Sequence, residues 1–306
     1  MKLTKDKHTV LFHDEEFGRT VKQTGKVGEY ELSQLLTFDA GSWHTHERFI
    51  KEPIAQFSSV LDYCRRNAVW MNVEIKPEIN TDVETGRIVA EQVQLSFADE
   101  ITAYRGARDA GNEALARDLL HKLPLISSFS FTALMTAKLV APDVPRAFLI
   151  DDLAKTVDWR QKLVDLDAVA VHTNVKTLTQ SNADEIKDRG YALMCFTVNT
   201  QEDHQRLLGY GVDSICTDKL EIFKYLTSLN DFMDVPAAPL PLGEGITLDT
   251  PLPTHDGTSV SSVFSSFSIT SHKSTGSLSE QVASALVPGL PRVTRSLSSS
   301  LIAGVK

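Results

Sequence analysis

The chain has 306 residues, 42% of them hydrophobic and 23% charged, with a formal net charge of -9. That is the make-up of a soluble globular protein with room for one large domain or two ordinary ones. The acidic balance leaves no basic stripe to neutralise a nucleic-acid backbone, whereas a phosphate-bearing small molecule needs only one local positive site. No apolar run reaches the ~18 residues of a membrane span, so no integral membrane segment is expected. The amino terminus, MKLTKDKHTVLF, lacks the apolar length and the small-residue cleavage site of a signal peptide, and the cytoplasm is the expected location. Cys64, Cys195 and Cys216 are odd in number and lie in or beside apolar segments. They read as buried free thiols in a reducing compartment, not as a disulfide framework or zinc site.

From Thr9 to about Ser228, short β-rich runs alternate with helix-like segments. VLF leads into His13 and Asp14. IAQFSSVLDYCRRN at 54–67 repeats apolar residues at helical spacing. WMNVEI at 70–75 carries Glu74 and is followed by Lys76. Residues 80–121 form a longer polar connection, predicted as one or two surface helices without chemistry. PLISSF at 124–129 is the next β run, and FTALMTAKLVAP at 131–142 a helix ending at a proline. RAFLI at 146–150 and DAVAVH at 167–172 follow. The helix TQSNADEIKDRG at 179–190 has Ser181 or Asn182 as cap candidate and Gly190 as stop. YALMCFTV at 191–198, a helix at 201–211 capped by Thr200, and DSICT at 213–217 complete the pattern. Strand alternating with helix predicts βαβ units and a parallel sheet.

The composition changes after about Leu229. The segment from 229 to 306 is rich in Ser, Thr and Pro with little apolar periodicity. It is expected to be disordered and to lie outside a domain spanning 1–228.

Polar residues gather at the carboxyl ends of the β runs: Glu74 with Lys76, Ser127 with Ser128, His172 with Asn174, Asn199, and Thr217 with Asp218. In barrels and open α/β sheets that end binds ligands. An imidazole, a carboxylate and an ammonium group there suit metal-assisted chemistry on a phosphate ester. His44 and His46 have the spacing of a metal pair, but a polar loop holds them, and they read as surface histidines. Ser127 and Ser128 lack the G-x-S-x-G elbow of a serine nucleophile. Arg19 and Thr20 are expected to brace the loop after His13.

Taken in order, HD…RT at 13–20, VEIKP at 73–77, SSF at 127–129, FTVN at 196–199 and GVDSICTD at 211–218 resemble the glycerophosphodiester phosphodiesterase family. The bacterial cytoplasmic type is the nearest match, including TKD at 4–6 and DAGSW at 39–43, over roughly residues 2–225. The resemblance implies a TIM-type (β/α)8 barrel. It also implies hydrolysis of glycerophosphodiesters, as small-molecule substrates, to glycerol 3-phosphate and an alcohol such as choline, ethanolamine or glycerol. A divalent cation, magnesium or calcium, would polarise the phosphoryl group while two histidines act as acid and base. His13 then resembles the acid, Glu74 a metal ligand, and Lys76 a contact to the phosphate or to that ligand. Phe196 falls where many members carry a tryptophan over the apolar side of the substrate. His172 either touches substrate or bonds a neighbour.

One departure is large. Family members open with a strand ending in His-Arg-Gly and a second strand carrying Glu-x-Asp, just ahead of the segment matching KLTKD. This chain starts with Met1 at that segment. The expected fold is therefore a (β/α)8 barrel lacking its first βαβ unit, open at two strand edges, with an incomplete cation-ligand set. Three functions are expected candidates: the family's hydrolysis, an inactive remnant or incomplete gene model of such an enzyme, and a non-catalytic glycerophosphodiester-binding module. Residues 1–306 alone are expected to have little activity. Oligomeric state, leaving alcohol and choice of cation stay open at this stage.

Overall fold

A computed structural model describes residues 1–44 and 49–221. The predicted tail at 229–306, and His46, lie outside the described residues. The chain opens with an antiparallel hairpin of β1 (Lys2–Leu3) and β2 (Thr9–Val10). A 3-10 turn (Val27–Glu29), the one-turn α1 (Leu32–Leu35) and α2 (Phe57–Arg66) lead to the main sheet. That sheet begins with β3 (Asn72–Glu74), after which α3 (Asp82–Ser96), α4 (Ala98–Asp109) and α5 (Glu113–Leu120) intervene. It continues through β4 (Leu125–Ser128), α6 (Phe131–Val140), β5 (Arg146–Ile150), α7 (Trp159–Asp165) and β6 (Ala170–Asn174). The last elements are α8 (Gln180–Asp188), β7 (Ala192–Phe196), α9 (Gln201–Gly209) and β8 (Ser214–Ile215).

The six strands β3 to β8 pair in parallel and in chain order, so β3 and β8 are the two edges of a curled half-barrel. Each predicted β run from 70 onward supplies one strand of it. Alternation divides the side chains between two faces. Ile126, Phe148, Ile150, Val171, Leu193 and Cys195 point to the helices and join the main core. The register places Glu74, Ser127, Ala147, Ala170 and Ala192 on the opposite, concave face, with Leu149, His172 and Met194 one pair further along. Leu125, Ala147 and Ala170 make a small apolar cluster there.

Three expectations need correction. The 80–121 region forms three helices, and α3 is a core element with Thr85, Gly86, Val89, Ala90 and Val93 buried. Its buried stripe is made of small residues, which is why it reads as polar surface. Thr179, not Ser181 or Asn182, caps α8, its side chain accepting from the Asn182 N–H at 3.3 Å. Cys64 and Cys195 are buried, but Cys216 is only half-buried; all three are free thiols. Thr200 caps α9 as expected, accepting from the Asp203 N–H at 3.1 Å.

The small stripe has a purpose at Gly86. A Cβ there would stand 2.5 Å from the Ala133 carbonyl oxygen and 3.0 Å from its Cα, so the α3–α6 approach requires glycine. Gly106 in α4 has nothing within 4 Å of the same position. Ala is the better helix former by about 1 kcal/mol, so the two sites should respond in opposite directions. Gly106→Ala is expected to raise stability by roughly 0.5–1 kcal/mol, and Gly86→Ala to lower it by about 1–3 kcal/mol through overpacking. Urea denaturation of both variants checks this; equal gains would refute the close approach.

Candidate active site

The amino-terminal segment has a core of its own: Val10, Phe17, Val21, Val27, Leu35 and Ile54. Phe17 is its centre, with ring centroids 4.9 Å from Phe12, 5.7 Å from Tyr30 and 5.6 Å from Phe38. His13 to Glu16 therefore form a short loop between two anchored rings. The Lys76 N–H donates to the Met1 carbonyl at 2.9 Å, and the Met1 amino group donates to the Glu74 carbonyl. These bonds set the segment against the edge strand β3.

That docking brings His13 to Lys76. His13 Nε2 lies 3.0 Å from Lys76 Nζ, and His13 Nδ1 lies 2.9 Å from Asp14 Oδ1. Arg19 grips the same carboxylate with two bonds, Nε to Oδ2 at 2.8 Å and Nη2 to Oδ1 at 2.9 Å. The Arg19 bonds, with help from His13, hold the Asp14 carboxyl down at about 2. A carboxylate only accepts and an ammonium only donates. So the imidazole carries its proton on Nδ1 and leaves Nε2 as acceptor. Beyond Arg19 lies Asp218, which attracts the guanidinium electrostatically. Asp218 follows β8, and its N–H donates to Asn199 Oδ1 at 2.9 Å, while Thr217 Oγ1 donates to the same oxygen at 3.1 Å. Residues 13–19 thus reach from the end of β3 towards the end of β8, the two edges of the arc.

The other predicted site residues fall as follows. Glu74 is half-buried on the concave face, opposite Ser127. Phe196 ends β7, and its ring meets Phe129 edge-on at 5.8 Å. In the sequence Phe129 ends the run PLISSF and the SSF motif, and neither pattern assigns its ring a partner. His172 is 1% exposed on the concave face, one pair below Asn174 and Phe196. Its Nδ1, the Ser127 Oγ and the Asn72 Oδ1 are buried without a hydrogen-bond partner among the described residues. Ser128 faces the other way, its Oγ donating to the Ile75 carbonyl at 2.6 Å. His44 packs edge-on against Trp43 and Phe49, with centroids at 5.8 and 4.8 Å.

The donor set does not suit a divalent cation. Among the described residues no three His, Cys, Asp or Glu side chains gather where one ion could bind. The Met1 amino group lies against Glu74 instead, and burial pushes that amine down to about 5 despite the attraction of Glu74. A hard cation takes six or more oxygen ligands.

A family model described as the glycerophosphoryl diester phosphodiesterase family matches residues 1–222. A glycerophosphodiester phosphodiesterase of Bacillus subtilis is 24% identical over 232 residues, 73% of this chain and 73% of that protein. Another, of Caldanaerobacter subterraneus, is 26% identical over 221 residues, 72% of this chain and 81% of that protein. Among solved structures, an Oleispira antarctica phosphodiesterase in complex with the product sn-glycerol-3-phosphate has a TM-score of 0.55 at 23% identity, covering 71% of this chain and 78% of its own. A glycerophosphodiester phosphodiesterase from Parabacteroides distasonis has a TM-score of 0.52 at 17% identity, covering 75% and 82%. These two are likenesses of fold. No helix of the described residues is long and apolar enough to cross a membrane.

His172 gives a pH test. Burial pushes its imidazole down to about 3 from an ordinary 6.5. The unfolded chain therefore takes up a proton below about pH 6.5 that the folded protein refuses. Stability is fully present above that pH and is lost on acidification towards 3, at up to about 1.4 kcal/mol per pH unit. His172→Leu is expected to flatten this slope in urea denaturation between about pH 6.5 and 4. An unchanged slope would mean that His172 is not a neutral buried group.

Proposed function

The chain belongs to the glycerophosphoryl diester phosphodiesterase family, and from that premise we propose that it hydrolyses glycerophosphodiesters to glycerol 3-phosphate and an alcohol. The observation that supports this most directly is the 3.0 Å contact between His13 Nε2 and Lys76 Nζ, two groups 63 residues apart at the carboxyl end of β3. A phosphodiester anion at that position attracts the Lys76 ammonium, which moves from His13 onto a phosphoryl oxygen. Nε2 is then free to take a proton from solvent, and Asp14 stabilises the imidazolium. As water adds to phosphorus and releases a proton to solvent, the bond from phosphorus to the alcohol oxygen breaks and the imidazolium proton passes to the departing alkoxide. Phe129 and Phe196 offer an apolar wall to the glycerol carbons. Such an activity belongs to glycerol and lipid metabolism, and three free cysteines agree with a cytoplasmic location.

The donor set around Glu74 favours a second reading, a module that binds glycerophosphodiesters without turning them over. One experiment separates the two: release of glycerol 3-phosphate from glycerophosphocholine by residues 1–306, with and without added magnesium or calcium. Slow release that ignores the cations is expected, falling on the order of 100-fold or more in His13→Ala. Lys76→Met is expected to raise KM by removing the phosphate contact. Binding seen by calorimetry with no release selects the second reading. Strong activation by a cation would reveal ligands beyond the described residues.

A further inference from the structure

We propose that Arg19 is a positioning residue: its fork fixes Asp14, and Asp14 in turn locks His13 with its proton on Nδ1 and Nε2 directed at the substrate. The proposal rests on reading His13 as the proton carrier. Which ring nitrogen of a histidine is free to exchange protons is set by the bond the other nitrogen makes. Here that bond goes to Asp14 Oδ1 at 2.9 Å, and both oxygens of Asp14 are held by Arg19, at 2.8 and 2.9 Å. A carboxylate gripped at two points cannot rotate, whereas one held by a single donor can.

The local chain is shaped for this grip. Gly18 sits at φ 133°, a conformation that other residues rarely adopt, and its N–H donates to the Val21 carbonyl at 2.8 Å. The resulting turn returns Arg19 to Asp14, five residues back. The Arg19 side chain is 58% exposed and Asp14 21%, so the pair is no core brace. Every charged group identified around the ring has a place in the scheme. Asp14 lies on the Nδ1 side, Lys76 on the Nε2 side, and Asp218 draws the guanidinium from beyond. Lysine cannot replace the fork, because an ammonium is a point charge.

The test is ring nitrogen NMR of histidine-labelled residues 1–306, with His13 assigned among nine histidines by its loss in His13→Ala. In the parent chain His13 is expected as the Nδ1–H tautomer. In Arg19→Met and in Arg19→Lys its two nitrogens are expected to shift towards averaged values, while the other histidines keep theirs and so report an intact fold. An Nε2–H tautomer in the parent chain overturns the proposal without any variant. So does an unchanged ring in Arg19→Met, and a ring still locked in Arg19→Lys overturns the role of the fork. Absence of glycerol 3-phosphate release alongside a locked ring would count against the enzymatic reading and leave the positioning intact. Normal release with an unlocked ring in Arg19→Met would leave the enzymatic reading intact and overturn the positioning role, since the reaction would then not need the ring that Arg19 locks.

Discussion

The hydrogen bond from the Lys76 N–H to the Met1 carbonyl, 2.9 Å long, joins two parts of the molecule that otherwise have separate cores. On one side stand the curled sheet and its helices; on the other, the aromatic cluster around Phe17. Further ties reinforce the junction. The Leu11 N–H donates to Ala55 at 2.9 Å, Thr9 Oγ1 donates to Gln92 at 2.6 Å, and the Gly28 N–H donates to Glu78 at 3.1 Å. Only with this docking in place does the loop between Phe12 and Phe17 hold His13 over Lys76. The site is therefore assembled by packing between segments distant in sequence, and its accuracy depends on the seating of Met1 beside β3.

Energies and geometry play different parts around His13. With the Arg19 guanidinium exposed, solvent screens the pair, and a surface ion pair of this kind adds about 0–1 kcal/mol to stability, so the grip of Arg19 on Asp14 contributes little to folding. Its effect is directional. The same distinction applies to Lys76, whose Nζ stands 3.0 Å from His13 Nε2 and fixes where that nitrogen points.

Much of the fold was legible because the strands after residue 70 carry unbroken β-type runs, such as RAFLI, buried on both faces, and YALMCFTV, buried at its centre. The candidate site's strand-end residues were legible for the same reason, since Glu74 lies near the end of one such run and Lys76, Asn199 and Asp218 directly follow theirs. What escaped was long-range or small. The buried face of α3 is built from Thr85, Gly86 and Ala90 as much as from valines, and such residues give no apolar stripe to read. The Asp14–Arg19 fork depends on a turn at Gly18 that spacing alone does not reveal. Phe129 acquires its meaning only from Phe196, three strands away.

The two faces of the sheet treat polar side chains differently. Towards the helices, Ser128 and Thr173 each donate to a carbonyl of the neighbouring strand, at 2.6 and 2.8 Å. They are solved structural positions. On the concave face, the Asn72 Oδ1, Ser127 Oγ and His172 Nδ1 atoms are buried and unpartnered among the described residues. Each such group costs about 1–3 kcal/mol. A sheet selected for stability alone would carry alanine or leucine at these positions, as it does at Ala147, Leu149 and Ala170. The cost falls on the face whose carboxyl end holds Glu74, Lys76 and His13. Polar chemistry was kept where the sheet curls inward and removed or satisfied where it packs against helices.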